Sequence, residues 1–212
     1  MLDWTTVADL ATAAGTALLA LATFASTRSA NRSARSAERA LLEGLRPILM
    51  PSDWNDPVQK IMFHDGKWLH VRGGRAALEV ADDAAYLVLS VRNVGRGLAV
   101  LHGWKMIHDR MEDPSDPADF FRLTRDIYIA AGGIGFGQIA IRDTSGDDYS
   151  YVSSHLGPTE LIAVDLLYGD AEGTQRIISR FAVTQGPAEL DDPTERALTV
   201  SRHWNLDLPA PR

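Results

Sequence analysis

No cysteine occurs among the 212 residues, which removes disulfides, thiolate metal sites, iron–sulfur clusters and thiol nucleophiles together. Lysine is scarce, with 3 residues against 18 arginines. Basic residues as a whole are outnumbered, 21 to 28, for a formal charge of −7. A chain that coats nucleic acid needs a net basic surface, so no nucleic-acid partner is expected. Catalytic signatures are missing too. The glycines 132, 133, 135 and 137 are not followed by the Gly-Lys-Ser/Thr of a phosphate loop, and neither G-x-S-x-G nor H-E-x-x-H occurs. The six histidines are dispersed, and no cofactor or metal is expected. What is present is ordinary for a folded chain: 45% apolar and 23% charged residues.

The charge is unevenly divided. Residues 1–27 carry −2, residues 28–46 carry +3, and residues 47–212 carry −8. Leu10–Ser26 (LATAAGTALLALATFAS) has neither charge nor proline over 17 residues, a helix of roughly 25 Å against a hydrocarbon core of roughly 30 Å. Trp4 and Val7 extend it, and Trp suits the interface. The run is rich in Ala and Thr, so its hydrophobicity is borderline. Three readings stand: a cleaved signal peptide, disfavoured by the acidic start; a soluble helix buried in the protein or in a homo-oligomer; and a single-pass anchor over residues 5–26, the reading preferred. Basic residues follow the run and none precede it. The positive-inside rule then places the chain in the cell membrane with its C-terminal domain cytoplasmic.

Residues 27–46 form the expected stalk. Ala30, Ala34, Ala37, Leu41 and Leu45 recur at helical spacing, with Arg28, Arg32, Arg35 and Arg39 on a neighbouring face. The arginines suit anionic lipid headgroups, or serve only as a solvated face and topology signal. One helix is expected from about residue 5 to about residue 45, ended by Gly44 and Pro47.

After Pro47 the pattern turns to β. Ten strands are expected at 46–50, 59–64, 67–72, 85–93, 98–107, 124–130, 134–141, 160–168, 174–184 and 196–206, with a tight turn at Asp65-Gly66 and loops at 109–121, 143–158 and 185–195. This predicts a mainly β domain over 47–212, an antiparallel immunoglobulin-like sandwich, with a barrel as the alternative. Trp68, Trp104 and Trp204 are expected to be core or edge-covering aromatics.

The densest polar cluster lies on the last three strands: Asp165, Asp170, Glu172, Arg176, Arg180, Arg202 and His203. It is a candidate face for a ligand or an unknown protein partner, or else a set of cross-strand ion pairs. An enzyme built on it is the alternative to a non-enzymatic binding or scaffold module.

The stretches 92–104 (RNVGRGLAVLHGW), 125–143 (RDIYIAAGGIGFGQIAIRD), 166–181 (LLYGDAEGTQRIISRF) and 202–207 (RHWNLD) resemble a family of uncharacterised bacterial proteins. The resemblance implies an N-terminal hydrophobic helix followed by a β-domain. It assigns no activity and no site residue.

Overall fold

The computed structural model describes residues 3–157, 159–186 and 192–208, which leaves parts of the expected loops 143–158 and 185–195 outside the described residues. The chain divides at Gly44/Leu45 into two compact units.

The first unit is one helix, α1 (Trp4–Gly44), of 41 residues and therefore about 61 Å long. No proline interrupts it, and Gly44 with Pro47 ends it as the spacing predicts. Leu18, Leu19, Leu21 and Phe24 of its apolar run are all exposed. The helix is long and apolar enough to cross a membrane, with a mean hydropathy of 1.6 over its 18-residue window and none of that window buried. The threonines that weaken its hydropathy are internally satisfied. Thr12, Thr16, Thr23 and Thr27 each donate a hydroxyl hydrogen bond to the carbonyl four residues earlier, at 2.8–2.9 Å. At 100° per residue, Arg28, Arg32, Arg35 and Arg39 fall within an arc of about 60°. The Ala30, Ala34, Ala37 and Leu41 stripe lies across the helix from them rather than on a neighbouring face.

The second unit is mostly antiparallel β. Its strands are β1 (Leu49–Pro51), β2 (Gln59–Met62), β3 (Trp68–Val71), β4 (Arg75–Val80), β5 (Ala85–Asn93), β6 (Ala99–Ile107), β7 (Phe121–Arg122), β8 (Tyr128–Ile129) and β9 (Ile134–Ile141), then helix α2 (Asp147–Ser154), then β10 (Leu161–Gly169), β11 (Arg176–Gln185) and β12 (Glu195–Asn205). Ten strands form one sheet and β2–β3 form a separate hairpin. β5 pairs with β9 over Ala85–Arg92, which forces β4 and β1 to share its other edge in succession. β6 pairs with β10 on one edge and with β7 and β8 on the other. The order is therefore β9, β5, β4 with β1, β12, β11, β10, β6, and finally β7 with β8.

One core draws on both ends of this path: Leu87, Leu89 and Ile139 from one half, and Leu166, Tyr168 and Phe181 from the other. A Cβ on Gly137 of β9 would meet the Leu166 side chain of β10 at 3.2 Å. The alternate residues Tyr86 and Val88 of β5 point the other way, into a second core closed by Ile61, Phe63, Leu69 and Val71 around the hairpin. β5 is thus buried on both faces, which explains its continuous apolar run. Each fully buried large side chain contributes roughly 1.5–3 kcal/mol. The β character and the long helix are as expected, but the pairing shows open sheets and does not establish the immunoglobulin-like sandwich.

Three elements depart from the sequence expectation. β4 (RAALEV) is made of good helix formers and becomes a strand because β5 and β12 pair with it. α2 lies inside an expected loop, with Asp147 and Asp148 in its first turn, where the helix dipole favours them. β7 lies at the end of the expected 109–121 loop.

Candidate functional site

The polar cluster on the last strands separates into several sets that converge on no single point. Asp165 and Arg180 stand opposite each other in the β10–β11 register, and both are fully buried. They form a two-pronged pair, Arg180 Nε to Asp165 Oδ1 at 2.8 Å and Arg180 Nη2 to Oδ2 at 2.9 Å. Arg180 Nη1 also donates to the carbonyls of Arg110 and Glu112, both at 2.9 Å, and its guanidinium lies 5.0 Å from the Trp204 ring. This pair fastens the 109–116 loop to the sheet and is sealed from water.

Asp170 caps the β10–β11 turn. It accepts from the backbone N–H of Thr174 at 2.7 Å and of Gln175 at 3.0 Å, and from the Thr174 hydroxyl. Burial pushes its carboxyl up, but these bonds outweigh burial and hold it below the ordinary value. Its oxygens are thereby occupied by its own turn, while Glu172 sits exposed at the tip. Arg176 binds Asp207 through Nη2 at 2.8 Å and through Nε at 3.2 Å, at an exposed corner. His203 is exposed and stands opposite Ser179 in the β11–β12 register, its Nδ1 3.1 Å from the Ser179 hydroxyl. Burial pushes His203 down, with an opposing hydrogen bond to Asn205 and a reinforcing charge from Arg46. Arg202 extends toward Met111 on the exposed surface.

The arginines 28, 32, 35 and 39 are exposed along α1, as a headgroup-facing or solvated stripe would be. Of the tryptophans, Trp104 is buried, Trp204 partly so, and Trp68 is 45% exposed beneath Lys60.

A serine, a histidine and a glutamate also meet at Ser154, His155 and Glu160. His155 Nδ1 is 3.0 Å from the Ser154 hydroxyl but 2.8 Å from the Tyr151 carbonyl, which can only accept. Nδ1 must then carry the proton, so it cannot take one from Ser154. This is a helix C-terminus, not a nucleophile with its base.

The described residues hold a more open feature at the two ends of the large sheet. β9 and β7 border a groove floored by the stacked rings of Trp104 and Phe121, 4.8 Å apart. Two recesses of about 270 and 440 Å³ share Trp104, Phe121, Ala140 and Arg142. The smaller is lined by His64, Arg122, Arg125 and Arg142 and by no carboxylate; the larger carries Asp143, Asp147, Asp148 and His108. His108 Nε2 is 3.0 Å from Asp148 Oδ1, and its ring stacks on Tyr151 at 4.6 Å. No serine, threonine, tyrosine or lysine lines the larger recess, so this His–Asp pair has no hydroxyl or amine in that lining to activate. Sequence reasoning missed the groove because its parts come from residues 104, 121–125 and 138–148, which share no periodicity. Arg122 fell between an expected loop and an expected strand and Arg125 inside that strand, and only the fold brings them opposite Arg142.

Compared with protein-family models, curated proteins and solved structures, the chain matches none of them.

Proposed function

We propose that the protein is a single-pass membrane protein whose β-domain, an antiparallel sandwich-like fold, lies on the cytoplasmic side and acts as a non-enzymatic binding or scaffold module. One observation carries this reading: α1 presents an uncharged, unburied run whose threonine hydroxyls at 12, 16 and 23 bond within the helix, followed at once by four arginines on one stripe. Water is a poor solvent for such a run and hydrocarbon a good one. The arginines at 28, 32, 35 and 39 then lie at headgroup depth and just beyond it, each contributing about 1 kcal/mol against an anionic leaflet. The positive-inside rule gives the orientation. The string resemblance to helix-plus-β bacterial proteins points to the same architecture.

The absence of cysteine makes the test clean, because any introduced thiol is unique. Asp3→Cys and Glu172→Cys are each treated in intact cells with a membrane-impermeant maleimide. Labelling at position 3 alone is expected, with position 172 reacting only after lysis, and the protein should stay with membranes through carbonate washing. Release by carbonate overturns the anchor, and labelling of position 172 in intact cells overturns the orientation.

A further inference from the structure

Sheet edges expose rows of unpaired N–H and C=O groups, and proteins usually blunt them with charge, proline or a bulge. β9 (IGFGQIAI) has none of these safeguards in its eight residues: no charge, no proline and an unbroken register with β5. Its outer edge has no strand partner among the described residues. The facing end of the sheet, β7, is only two residues long and is likewise unpaired on its outer side.

The seam between them is closed at one end and open at the other. A Cβ on Gly135 would strike Ile129 of β8, and the Gln138 side chain donates to Asp126 at 3.0 Å. Among the described residues no hydrogen bond or ion pair crosses it from Ile139 to Arg142. At about 3.4 Å per residue, that stretch takes roughly four residues of extended chain.

Charge and shape restrict what fits there. Arg122 is exposed and makes no ion pair or hydrogen bond among the described residues. Arg142 binds Asp65 through Nε and Nη2, and Arg125 donates from Nη1 to the Met62 carbonyl, so both keep further donors free. Three arginines, only Arg142 of them ion-paired among the described residues, and no carboxylate in the recess lining stand out in a domain carrying −8. Beside them Phe121, 55% exposed, lies flat on Trp104 as an apolar shelf.

We propose that this seam binds a short extended acidic segment of a partner protein by strand addition to β9, with an aromatic or large apolar side chain of the partner on the Trp104–Phe121 shelf. Main-chain hydrogen bonds to β9 supply affinity, and the shelf and arginines supply selectivity. This deepens the binding-module reading by naming the partner's chemistry, and it does not depend on the anchor.

The test uses the full chain in detergent and a five-residue probe with a central phenylalanine flanked by glutamates. Its controls are a lysine counterpart and a form N-methylated at alternate amides. Fluorescence polarisation should show the glutamate probe binding at least tenfold more tightly than either control. Amide exchange over 139–142 should slow on binding. Arg122→Glu, which loses no partner among the described residues and should leave the melting curve unchanged, should narrow the preference for glutamate over lysine severalfold. Equal binding of the two charges, no binding at millimolar probe, or unchanged exchange over 139–142 overturns the proposal. So does a dimer that the probe cannot dissociate, since the seam would then hold a second copy. A carbonate-extractable chain that still binds the probe overturns the anchor alone, whereas an anchored chain that fails to bind overturns only this inference.

Discussion

Breaking the Asp165–Arg180 pair one side at a time should be far more damaging than removing it whole. Both side chains are essentially sealed from water, 0% and 1% exposed. Asp165→Asn leaves the guanidinium charge with no counter-charge, and losing one partner of such a buried pair costs about 3–5 kcal/mol. For a chain of this size 1 kcal/mol moves the midpoint by about 2–4 °C, so a fall of roughly 6–20 °C is expected. Arg180→Met should cost at least as much, because Asp165 is stranded and the carbonyls of Arg110 and Glu112 lose their donor. The double variant Asp165→Leu/Arg180→Met buries no charge and forfeits chiefly those two bonds, about 1 kcal/mol each. It should therefore lose only about 2 kcal/mol, less than either single variant. Urea unfolding of the full chain in detergent, followed by tryptophan fluorescence, gives the three values. Limited proteolysis adds a separate readout: variants lacking Arg180 should be cut within 109–116, whereas Asp165→Asn should not. Single variants costing below about 1 kcal/mol, or a double variant equal to the sum of the two, would refute the reasoning.

The buried Asn93 donates to the carbonyls of Gly97 and Ile129 and accepts from the backbone N–H of Ile48 and Gly95, so Asn93→Leu should orphan several buried groups at about 1–3 kcal/mol each, seen as a large drop in urea midpoint. Asp170→Asn should weaken the capped β10–β11 turn by about 1–2 kcal/mol and speed amide exchange at Thr174 and Gln175, with unchanged exchange counting against the cap. Acidification should destabilise the β-domain in two stages. His102 and His203 are pushed below 6.5, chiefly by burial, so their stabilisation is complete above that pH and fades as pH falls toward their folded values. Asp170 and Asp207 are held below 3.8 in the fold, so their contribution is complete above the unfolded value and is lost only as pH falls through the depressed folded one. Urea midpoints from pH 8 to pH 3 test this; a rise between pH 7.5 and 5.5 would contradict it, and His203→Gln should flatten the first stage.

Most of the architecture is legible in local pattern. The uncharged run from Leu10, the arginine spacing and Pro47 define α1 within a residue or two, because helix formation and its termination depend on near neighbours. Strands such as β5, β9, β10 and β11 declare themselves through β-branched content and turn residues. The Asp165–Arg180 pair was half legible. Both residues belonged to the noted cluster, but their burial and their grip on the 109–116 loop depend on register across a hairpin and on a loop about 70 positions away.

Composition and order along the chain, acting by themselves, determined an exposed apolar helix, a basic stripe after it and an acidic β-domain beyond Pro47, since each rests on contiguous residues. Tertiary structure alone decided that RAALEV is a strand, that Asp170 is consumed by its own turn, and that the polar residues of the last strands scatter to different faces. It also decided where the sheet stops. Among the described residues β9 and β7 end the path with unpaired edges, and Arg122, Arg125 and Arg142 meet beside Trp104 and Phe121 only because both ends of the sheet pack on one core. Side-chain convergence over such separations is set by strand order and register, which no local window of the sequence contains.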